Sequence, residues 1–134
     1  GPDDVEVVTA MMAAYFDGRQ AEGHGCVVLD GDDGPRAVAY FEPAEVTDRT
    51  WYLTMIAVRR AHQGSGLGGR LMHHVEDDLR RRGERLLLVE TSGTPAFDAT
   101  RNFYRGLGYR EEARVRDYYA DGDDMVVFRR ALGD

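Results

Sequence analysis

The sequence predicts a single α/β domain of the α+β type, in which helices flank a mixed central β-sheet. Its 134 residues are the length of one domain, and an apolar fraction of 43% is sufficient for one packed core. Periodic patterns along the chain give the order helix, strand, strand, strand, helix, strand, helix, strand, strand. Short turns join some neighbouring strands and helices join others, so the sheet should contain both antiparallel and parallel pairs.

The first predicted element is a helix. Gly1-Pro2 has the composition of a protease-cleavage scar and is excluded from the fold prediction. Asp3 or Asp4 can then cap a helix, because a carboxylate accepts hydrogen bonds from the free N–H groups of a first turn. The apolar face of this helix consists of Val5, Val8, Met12 and Phe16.

Three strands and a glycine-rich loop follow. Residues 26–29 and 37–41 are predicted strands, and the turn-forming residues 30–34 between them predict a hairpin. Residues 51–58 form a longer strand. The glycine-rich loop occupies residues 63–69.

A second helix begins within this loop. Its apolar residues recur every four positions and form one stripe, Leu67, Leu71, Val75 and Leu79. Gly83 is typical of a helix end, since glycine takes the left-handed conformation there without steric cost. Residues 85–91 then form a strand whose continuous apolar run is typical of a buried strand.

The last third of the chain predicts a helix and a hairpin. The helix covers residues 98–107 and is closed by Gly108. Strands at 109–119 and 125–130 flank the turn-forming residues 120–124. This hairpin completes the predicted sheet.

The composition excludes several classes of protein. A net charge of −7 and a pI near 5.0 leave no overall basic surface for nucleic acid, although arginines cluster at 59–60 and 80–82. All 17 basic residues are arginine, which excludes a Walker-type phosphate loop and lysine Schiff-base chemistry. No apolar run has the length of a membrane span, and no signal peptide is visible. The single cysteine, Cys26, cannot form an internal disulfide, which favours a reducing, cytoplasmic location. We expect neither nucleic acid nor a membrane as a partner.

The glycine-rich loop contains a misleading pattern. Gly64, Gly66 and Gly69 spell G-x-G-x-x-G, and Glu90 lies 21 residues after Gly69, as in dinucleotide-binding folds. In those folds the glycines follow the strand almost directly, whereas residues 59–63 intervene here. The 44 residues after Glu90 supply one short helix and a hairpin, too little to complete such a sheet. We therefore reject the dinucleotide interpretation.

Two motifs resemble a known family. The loop from Gln63, Gln-Gly-Ser-Gly-Leu-Gly, resembles the Q/R-x-x-G-x-G/A motif of the GNAT superfamily of N-acetyltransferases, bacterial members included. Residues 102–109, Asn-Phe-Tyr-Arg-Gly-Leu-Gly-Tyr, resemble the family's second signature, an aromatic pair before glycine and an aromatic residue. The similarity extends from about residue 5 to residue 132. Either motif alone would be weak, but the pair at this spacing is specific. The resemblance implies the GNAT fold and acetyl-CoA as acyl donor, with no metal.

The physics of helix ends independently supports an anion site at the loop. A helix N-terminus has unpaired N–H groups and partial positive charge, which a pyrophosphate can use where glycines leave room. The alternative is a tight turn that needs glycine for a positive φ, which explains one or two glycines but not four within residues 64–69. The resemblance implies cofactor contacts at Ile56, Ala57, Val58, Gln63, Gly64, Ser65, Gly66, Leu67, Gly68, Gly69, Asn102 and Tyr104.

Acetyl transfer to an amine requires a neutral amine, a stabilised oxyanion and a protonated leaving thiolate. By resemblance, Tyr104 matches the tyrosine that protonates the CoA sulfur; its alternative role is packing of the last helix. Glu90, at a strand end, is the candidate base. The alternative, weighted equally, is that Glu90 is a surface carboxylate without a role in the reaction. Weaker candidates for substrate binding are Tyr52, Thr54, Asp117 and Tyr118. His73 and His74 are adjacent on a helix rather than four residues apart, so they do not predict a metal site.

The sequence departs from the family pattern in two places. The asparagine that often lies seven residues before the tyrosine is Phe97 here, so that contact at the helix start is not expected. The family usually begins with a strand and a helix before the helix at Val5. We therefore expect these two elements to be absent, leaving an open sheet edge that pairs with a separate segment or with a second copy in a homodimer.

Two functions fit these observations. The leading one is transfer of an acetyl group from acetyl-CoA to a primary amine of a small molecule or peptide, by direct attack with Tyr104 as general acid. The alternative is a non-catalytic acyl-CoA-binding or interaction module within a larger protein. Retention of Tyr104 and a candidate base favours the enzyme. The segment 114–124 is similar to a subgroup of bacterial acetyltransferases of unsettled substrate and does not name the acceptor.

Overall fold

A computed structural model of the chain describes residues 23–133. In this part, six strands form one mixed sheet flanked by two helices, which confirms the predicted fold class. The elements are β1 (Gly25–Gly31), β2 (Gly34–Pro43), β3 (Thr50–Val58), α1 (Leu67–Arg81), β4 (Leu86–Ser92), α2 (Asp98–Gly106), β5 (Arg110–Ala120) and β6 (Asp123–Ala131). Every element predicted within these residues is present, with bounds that differ by at most three residues. The helix predicted from Val5 lies outside the described residues.

The strands lie in the order β1-β2-β3-β4-β6-β5. Among the described strands, β3 and β4 form the one parallel pair, and α1 provides the crossover between them. The β1–β2 and β5–β6 pairs are hairpins, as their turn-forming residues predict. Within residues 23–133, β1 pairs with β2 alone and β5 with β6 alone. No helix of this part is long and apolar enough to span a bilayer.

Both helices cover the same face of the sheet. The predicted apolar stripe of α1 is buried and packs in one cluster with inward-facing side chains of the central strands, among them Phe41 of β2 and Val89 of β4. α2 adds Tyr104 to the same cluster. Burial of large apolar side chains of this kind stabilises a fold by about 1.5–3 kcal/mol each, so this cluster holds the helices to the sheet.

Each helix ends on a glycine in the left-handed conformation. α1 is followed by Gly83, with φ +78°, whose N–H donates to the carbonyl of Arg80 at 3.0 Å. α2 is followed by Gly108, with φ +92°, and the next N–H, that of Tyr109, donates to the carbonyl of Tyr104 at 3.0 Å. These are Schellman motifs, which satisfy the last helical carbonyls. Both predicted helix-ending glycines are confirmed.

β3 contains a β-bulge at Thr54. The register of β3 against β2 skips this residue, so it is the extra residue of the bulge. One extra residue reverses which side chains face the core. Leu53 lies in the core before the bulge, and Ile56 and Val58 pack against it after the bulge.

β3 and β4 separate beyond this bulge. Parallel pairing joins residues 50–53 to residues 86–89 and, in the described part of the chain, ends there. Further along, β3 pairs with β2 and β4 pairs with β6, but not with each other. A cleft therefore opens between the carboxyl ends of the two central strands. Backbone N–H and C=O groups on its two edges are available to a ligand.

Deletion of Thr54 should change the free energy of unfolding by less than about 1 kcal/mol, because it removes only the extra residue, so that Met55 follows Leu53 in regular alternation and Ile56 and Val58 still face the core. Urea unfolding followed by circular dichroism measures this change. Thr54→Ala, which keeps the chain length and shortens an exposed side chain, is the matched control and should stay within about 0.5 kcal/mol of the parent. A loss of about 2–4 kcal/mol on deletion would show that Ile56 and Val58 turn away from the core and that Thr54 is not the extra residue.

Candidate functional site

A cavity of about 480 Å³ lies between the carboxyl end of β3, the glycine-rich loop, the first turn of α1, and α2. Ten of the twelve residues expected at the cofactor line it: Ile56, Ala57, Val58, Gln63, Gly64, Gly66, Leu67, Gly68, Gly69 and Tyr104. Four further lining residues were not among those expected at the cofactor: His62, Ala99, Thr100 and Phe103. The sequence motifs therefore converge on one cavity.

Two expected contacts do not line this cavity. Ser65 is exposed, and its hydroxyl donates to the backbone carbonyl of His62, closing the loop on itself. Asn102 is exposed on α2, where its Oδ1 accepts a hydrogen bond from Arg105 at 3.1 Å. Both side chains therefore make hydrogen bonds to residues three positions away in the chain.

The N-terminus of α1 is open toward the cavity. Gly66 is its N-cap, with φ +84°, and within the described chain no side chain caps this end and no acidic residue occupies the first turn. The first intrahelical bond of this turn runs from the N–H of Arg70 to the carbonyl of Gly66 at 3.1 Å. The N–H groups of Leu67, Gly68 and Gly69 precede it and have no helical acceptor. Unpaired N–H groups and the helix dipole together fit a phosphate or pyrophosphate.

Two different structural reasons explain why glycine stands at these loop positions. Gly64 and Gly66 have φ of +80° and +84°, a region that side-chain-bearing residues rarely adopt, and a Cβ at either would meet open space. A Cβ on Gly68 would instead lie 3.2 Å from the ring of Phe103 in α2. The lack of a side chain at Gly68 therefore lets α2 approach α1.

The start of the loop is fixed by a contact distant in sequence. The buried Arg59 donates from Nη1 to Oδ2 of Asp33, in the β1–β2 turn, at 3.3 Å. Nε2 of His62 lies 3.5 Å from the same carboxylate oxygen. The pKa of Asp33 is lowered, mainly by a hydrogen bond from Arg36. Gln63 adds a bond from Nε2 to the carbonyl of Val58 at 3.1 Å.

Tyr104 combines burial with a free hydroxyl. Its side chain is 2% exposed, lies among aromatic rings and lines the cavity. Among residues 23–133, no group hydrogen-bonds its hydroxyl. Burial raises the pKa of Tyr104 to about 12, so the phenol stays protonated at neutral pH. The arrangement provides an unused proton donor beside the cavity.

Glu90 lies on the other face of the sheet. It pairs with Val127 of β6, beyond the point where β4 leaves β3, and its neighbour Val89 faces the core. Alternation along a strand therefore directs the exposed Glu90 away from the helices. Burial, followed by the charge of Glu90, raises the pKa of Tyr119, which places this second tyrosine near Glu90. No local sequence pattern pointed to Tyr119, because the hairpin alone brings it near β4.

The weaker substrate candidates lie on β3 and β5. Tyr52 is half-buried on β3, and Thr54 is the exposed bulge residue. Tyr118 is 57% exposed and packs edge-to-face on its neighbour Tyr119 at 5.0 Å.

Asp117 has a local structural use that the sequence did not indicate. Its φ is +55°, its Oδ1 accepts from the N–H of Gly122 at 2.8 Å, and its own N–H donates to Asp124 at 3.0 Å. These bonds shape the distorted end of the β5–β6 hairpin.

A buried arginine attaches α2 to the end of β4. Nη1 of Arg101 donates to the carbonyls of Ser92 at 2.6 Å and Thr94 at 2.9 Å, and its Nη2 contacts Asp98. Arg101 is 7% exposed, whereas Phe97, at the family's asparagine position, is 37% exposed. The start of α2 is thus fixed by a residue that the sequence pattern did not indicate.

His73 and His74 are exposed on α1. Residues 23–133 contain no group of three or more His, Cys, Asp or Glu side chains placed to hold a metal ion.

With this geometry in place, comparison with known proteins identifies the family. The model of the acetyltransferase (GNAT) family matches residues 3–109. The chain belongs to the GNAT family. This GNAT chain is 33% identical to a GNAT-family protein from Desulfovibrio desulfuricans, with a TM-score of 0.87, covering 99% of this chain and 84% of that one.

Two further proteins are similar to the chain. The GNAT chain is 37% identical over 75 residues to the ribosomal protein bS18-alanine N-acetyltransferase of Escherichia coli, covering 54% of this chain. The chain spans about half the length of curated relatives such as this one, of which 49% is covered. A Salmonella typhimurium protein solved with its cofactor acetyl-CoA shares the fold, at 23% identity and a TM-score of 0.79, covering 94% of this chain and 75% of that one.

Proposed function

We propose that the chain is an N-acetyltransferase that moves an acetyl group from acetyl-CoA to a primary amine. One observation carries this proposal: the open N-terminus of α1, the unpaired edge of β3 and the unpartnered hydroxyl of Tyr104 meet at one cavity. An anion site, a backbone edge and a proton donor are what a diphosphate-bearing thioester needs. Acetyl-CoA supplies the activated acyl group.

The residues present fit acetyl-CoA from one end to the other. The N–H groups of Leu67, Gly68 and Gly69 would hold the pyrophosphate. The free edge of β3 at Ile56 and Val58 would pair with the amide groups of the pantetheine arm and stabilise developing charge on the thioester oxygen. The proposed cofactor site therefore keeps the ten lining residues and leaves out Ser65 and Asn102.

Tyr104 would act on the departing sulfur. A thiol has a pKa of about 8.5, so full transfer from a phenol of pKa about 12 is uphill by several kcal/mol. Burial of the thiol in the cavity would also raise its pKa, which reduces this gap. The proposed role is thus a hydrogen bond that strengthens as charge develops on sulfur, followed by proton donation.

The acceptor would approach from the opposite face of the sheet. An alkyl ammonium has a pKa of about 10.4, so the amine must lose a proton before it attacks. Glu90 lies on that face, one residue beyond the last β3–β4 pair, and we assign it as the base, directly or through water. Tyr52, Thr54, Tyr118 and Tyr119 are the proposed acceptor contacts. Because the relative from Escherichia coli is named for acetylation of an alanine, a peptide α-amine is the first acceptor to test.

The alternative is a non-catalytic acyl-CoA-binding module within a larger protein. Release of free CoA thiol in the presence of peptide and small-molecule amines decides between the two. Thiol release that depends on the amine supports the enzyme. Tight acetyl-CoA binding without thiol release, across the panel and in the full-length protein, would support the module.

Gly66→Val should weaken acetyl-CoA binding at least about tenfold, because the side chain enters the pyrophosphate site and each lost charge-assisted hydrogen bond is worth about 1.5–3 kcal/mol. Isothermal titration calorimetry measures the Kd. Gly83→Val is the matched control, since Gly83 has φ +78° and open space at its Cβ but lies at the other end of α1. Equal Kd values for the two folded variants would contradict the cofactor site.

Tyr104→Phe should lower kcat by roughly ten- to a thousandfold with acetyl-CoA affinity nearly unchanged, because it deletes the donor and keeps the ring. Steady-state kinetics and thermal melting measure both effects. Tyr104→Ala should also lower stability by about 3–5 kcal/mol through the lost packing. A packing role alone predicts that Tyr104→Phe is fully active and that Tyr104→Ala alone is harmful.

Glu90→Gln should lower turnover while leaving the Kd for acetyl-CoA intact, because the amide cannot accept the proton of the amine. The loss should be largest for the most basic acceptors and at low pH. Glu112→Gln, which alters another exposed carboxylate on a strand, is the control. Equal turnover of parent and Glu90→Gln across the pH range would assign the base to water or to another group.

A further inference from the structure

One buried carboxylate has no part in the proposed reaction. Glu76 of α1 is 2% exposed, although an unpaired charge is costly to bury. Its Oε2 accepts a hydrogen bond from the hydroxyl of Tyr109 at 2.6 Å, and its Oε1 lies 4.0 Å from Nη1 of Arg80. The bond to Tyr109 is the short, directional contact of this group.

Tyr109 connects this carboxylate to Tyr104. It is 3% exposed and follows the Schellman turn of α2, so its position relative to Tyr104 is fixed by the backbone bond at 3.0 Å. The two rings pack edge-to-face with centroids 5.7 Å apart. The guanidinium of Arg130 lies over the ring of Tyr109 at 5.9 Å. Burial and the bond to Glu76 raise the pKa of Tyr109, which keeps it a donor.

Tyr109 differs from the other aromatic neighbours of Tyr104. The rings of Phe103 and Phe128 lie 5.1 and 5.8 Å from that of Tyr104, and both contacts are apolar. Apolar contacts are non-directional and allow small displacements, whereas a hydrogen bond to a charged acceptor fixes distance and angle. The bond from Tyr109 to Glu76 therefore ties the surroundings of Tyr104 to α1, the helix whose first turn lines the cavity.

We propose that Glu76 and Tyr109 are positioning residues that set the phenol of Tyr104 relative to the N-terminus of α1. α1 would hold one end of acetyl-CoA and Tyr104 would act at the other, so their relative placement decides whether the hydroxyl reaches the sulfur. This inference rests on the proposed function. It adds the requirement that Tyr109 be hydrogen-bonded to Glu76, a residue outside both motifs.

Four variants test the proposal in steady-state kinetics with acetyl-CoA and the best acceptor of the panel. Tyr109→Phe removes one oxygen, and Glu76→Met removes the acceptor at similar volume. Each should lower kcat about tenfold, since a displacement of about 1 Å near the reacting atoms can cost up to a hundredfold, with KM for acetyl-CoA within about twofold. Glu76→Gln keeps an acceptor oxygen and should retain kcat within about threefold of the parent. The double variant Tyr109→Phe, Glu76→Met should be no slower than either single variant, because both break the same bond.

A stability control separates positioning from general weakening. Leu132→Ala truncates a core residue near the amino end of β4, where the N–H of Leu132 donates to the carbonyl of Arg85 at 2.9 Å, far from the cavity. All variants are assayed well below their melting temperatures. A loss of kcat in Leu132→Ala equal to that in Tyr109→Phe would overturn the positioning role, and so would failure of Glu76→Gln to restore activity.

The test also distinguishes failure of this inference from failure of the proposed function. If Tyr104→Phe is impaired while Tyr109→Phe is as fast as the parent, the positioning role is refuted and the role of Tyr104 stands. If Tyr104→Phe is fully active, both fall together. If Glu76→Met does not fold, Tyr109→Phe decides alone, because it keeps the ring and deletes the bond.

Discussion

The separation of β3 and β4 beyond Leu53 and Val89 is the constraint on which the site depends. Central strands normally continue their ladder, because unpaired backbone groups in the interior are costly. Here the extra residue Thr54 bends β3 away, and the two open edges become the walls of a cleft. Since α1 is the crossover between these same strands, its N-terminus lies at the carboxyl end of β3, where the cleft opens. One bulge therefore brings a backbone edge and a helix N-terminus together.

The charge at the site is local and opposite to the charge of the chain as a whole. The net charge is −7, yet the first turn of α1 presents N–H groups and, in the described chain, no acidic residue of its own. The field of a helix end acts within about one turn, and surface charges further than about 8 Å away are screened at physiological salt. An acidic surface therefore does not prevent anion binding at this helix. Asp33 lies near the loop, and its negative charge is paired with the guanidinium groups of Arg36 and Arg59.

The proposed acid and the proposed base lie on opposite sides of the sheet. Tyr104 reaches the cavity from the helix face, whereas Glu90 projects from the opposite face of β4. Where β3 and β4 are paired, the sheet would separate the two groups completely. The cleft removes that barrier. The phenol of Tyr104 and an amine beside Glu90 would then reach the same thioester from opposite sides of the sheet. Behind Tyr104, the bond between Glu76 and Tyr109 links the helix that would hold the acyl donor to the helix that carries the phenol.

Local sequence was sufficient to predict the features that a few consecutive residues encode. These are the order of the elements, the apolar stripe of α1, the glycines that end both helices, and the two motifs whose residues line the cavity. Such features depend on side-chain period and backbone conformation, which local sequence carries. Tertiary structure alone decided the bulge at Thr54, the attachment of α2 by Arg101, the packing reason for Gly68, and the bond between Glu76 and Tyr109. Each of these joins residues far apart in the chain or depends on strand register, and no local pattern specifies which distant partner a residue meets.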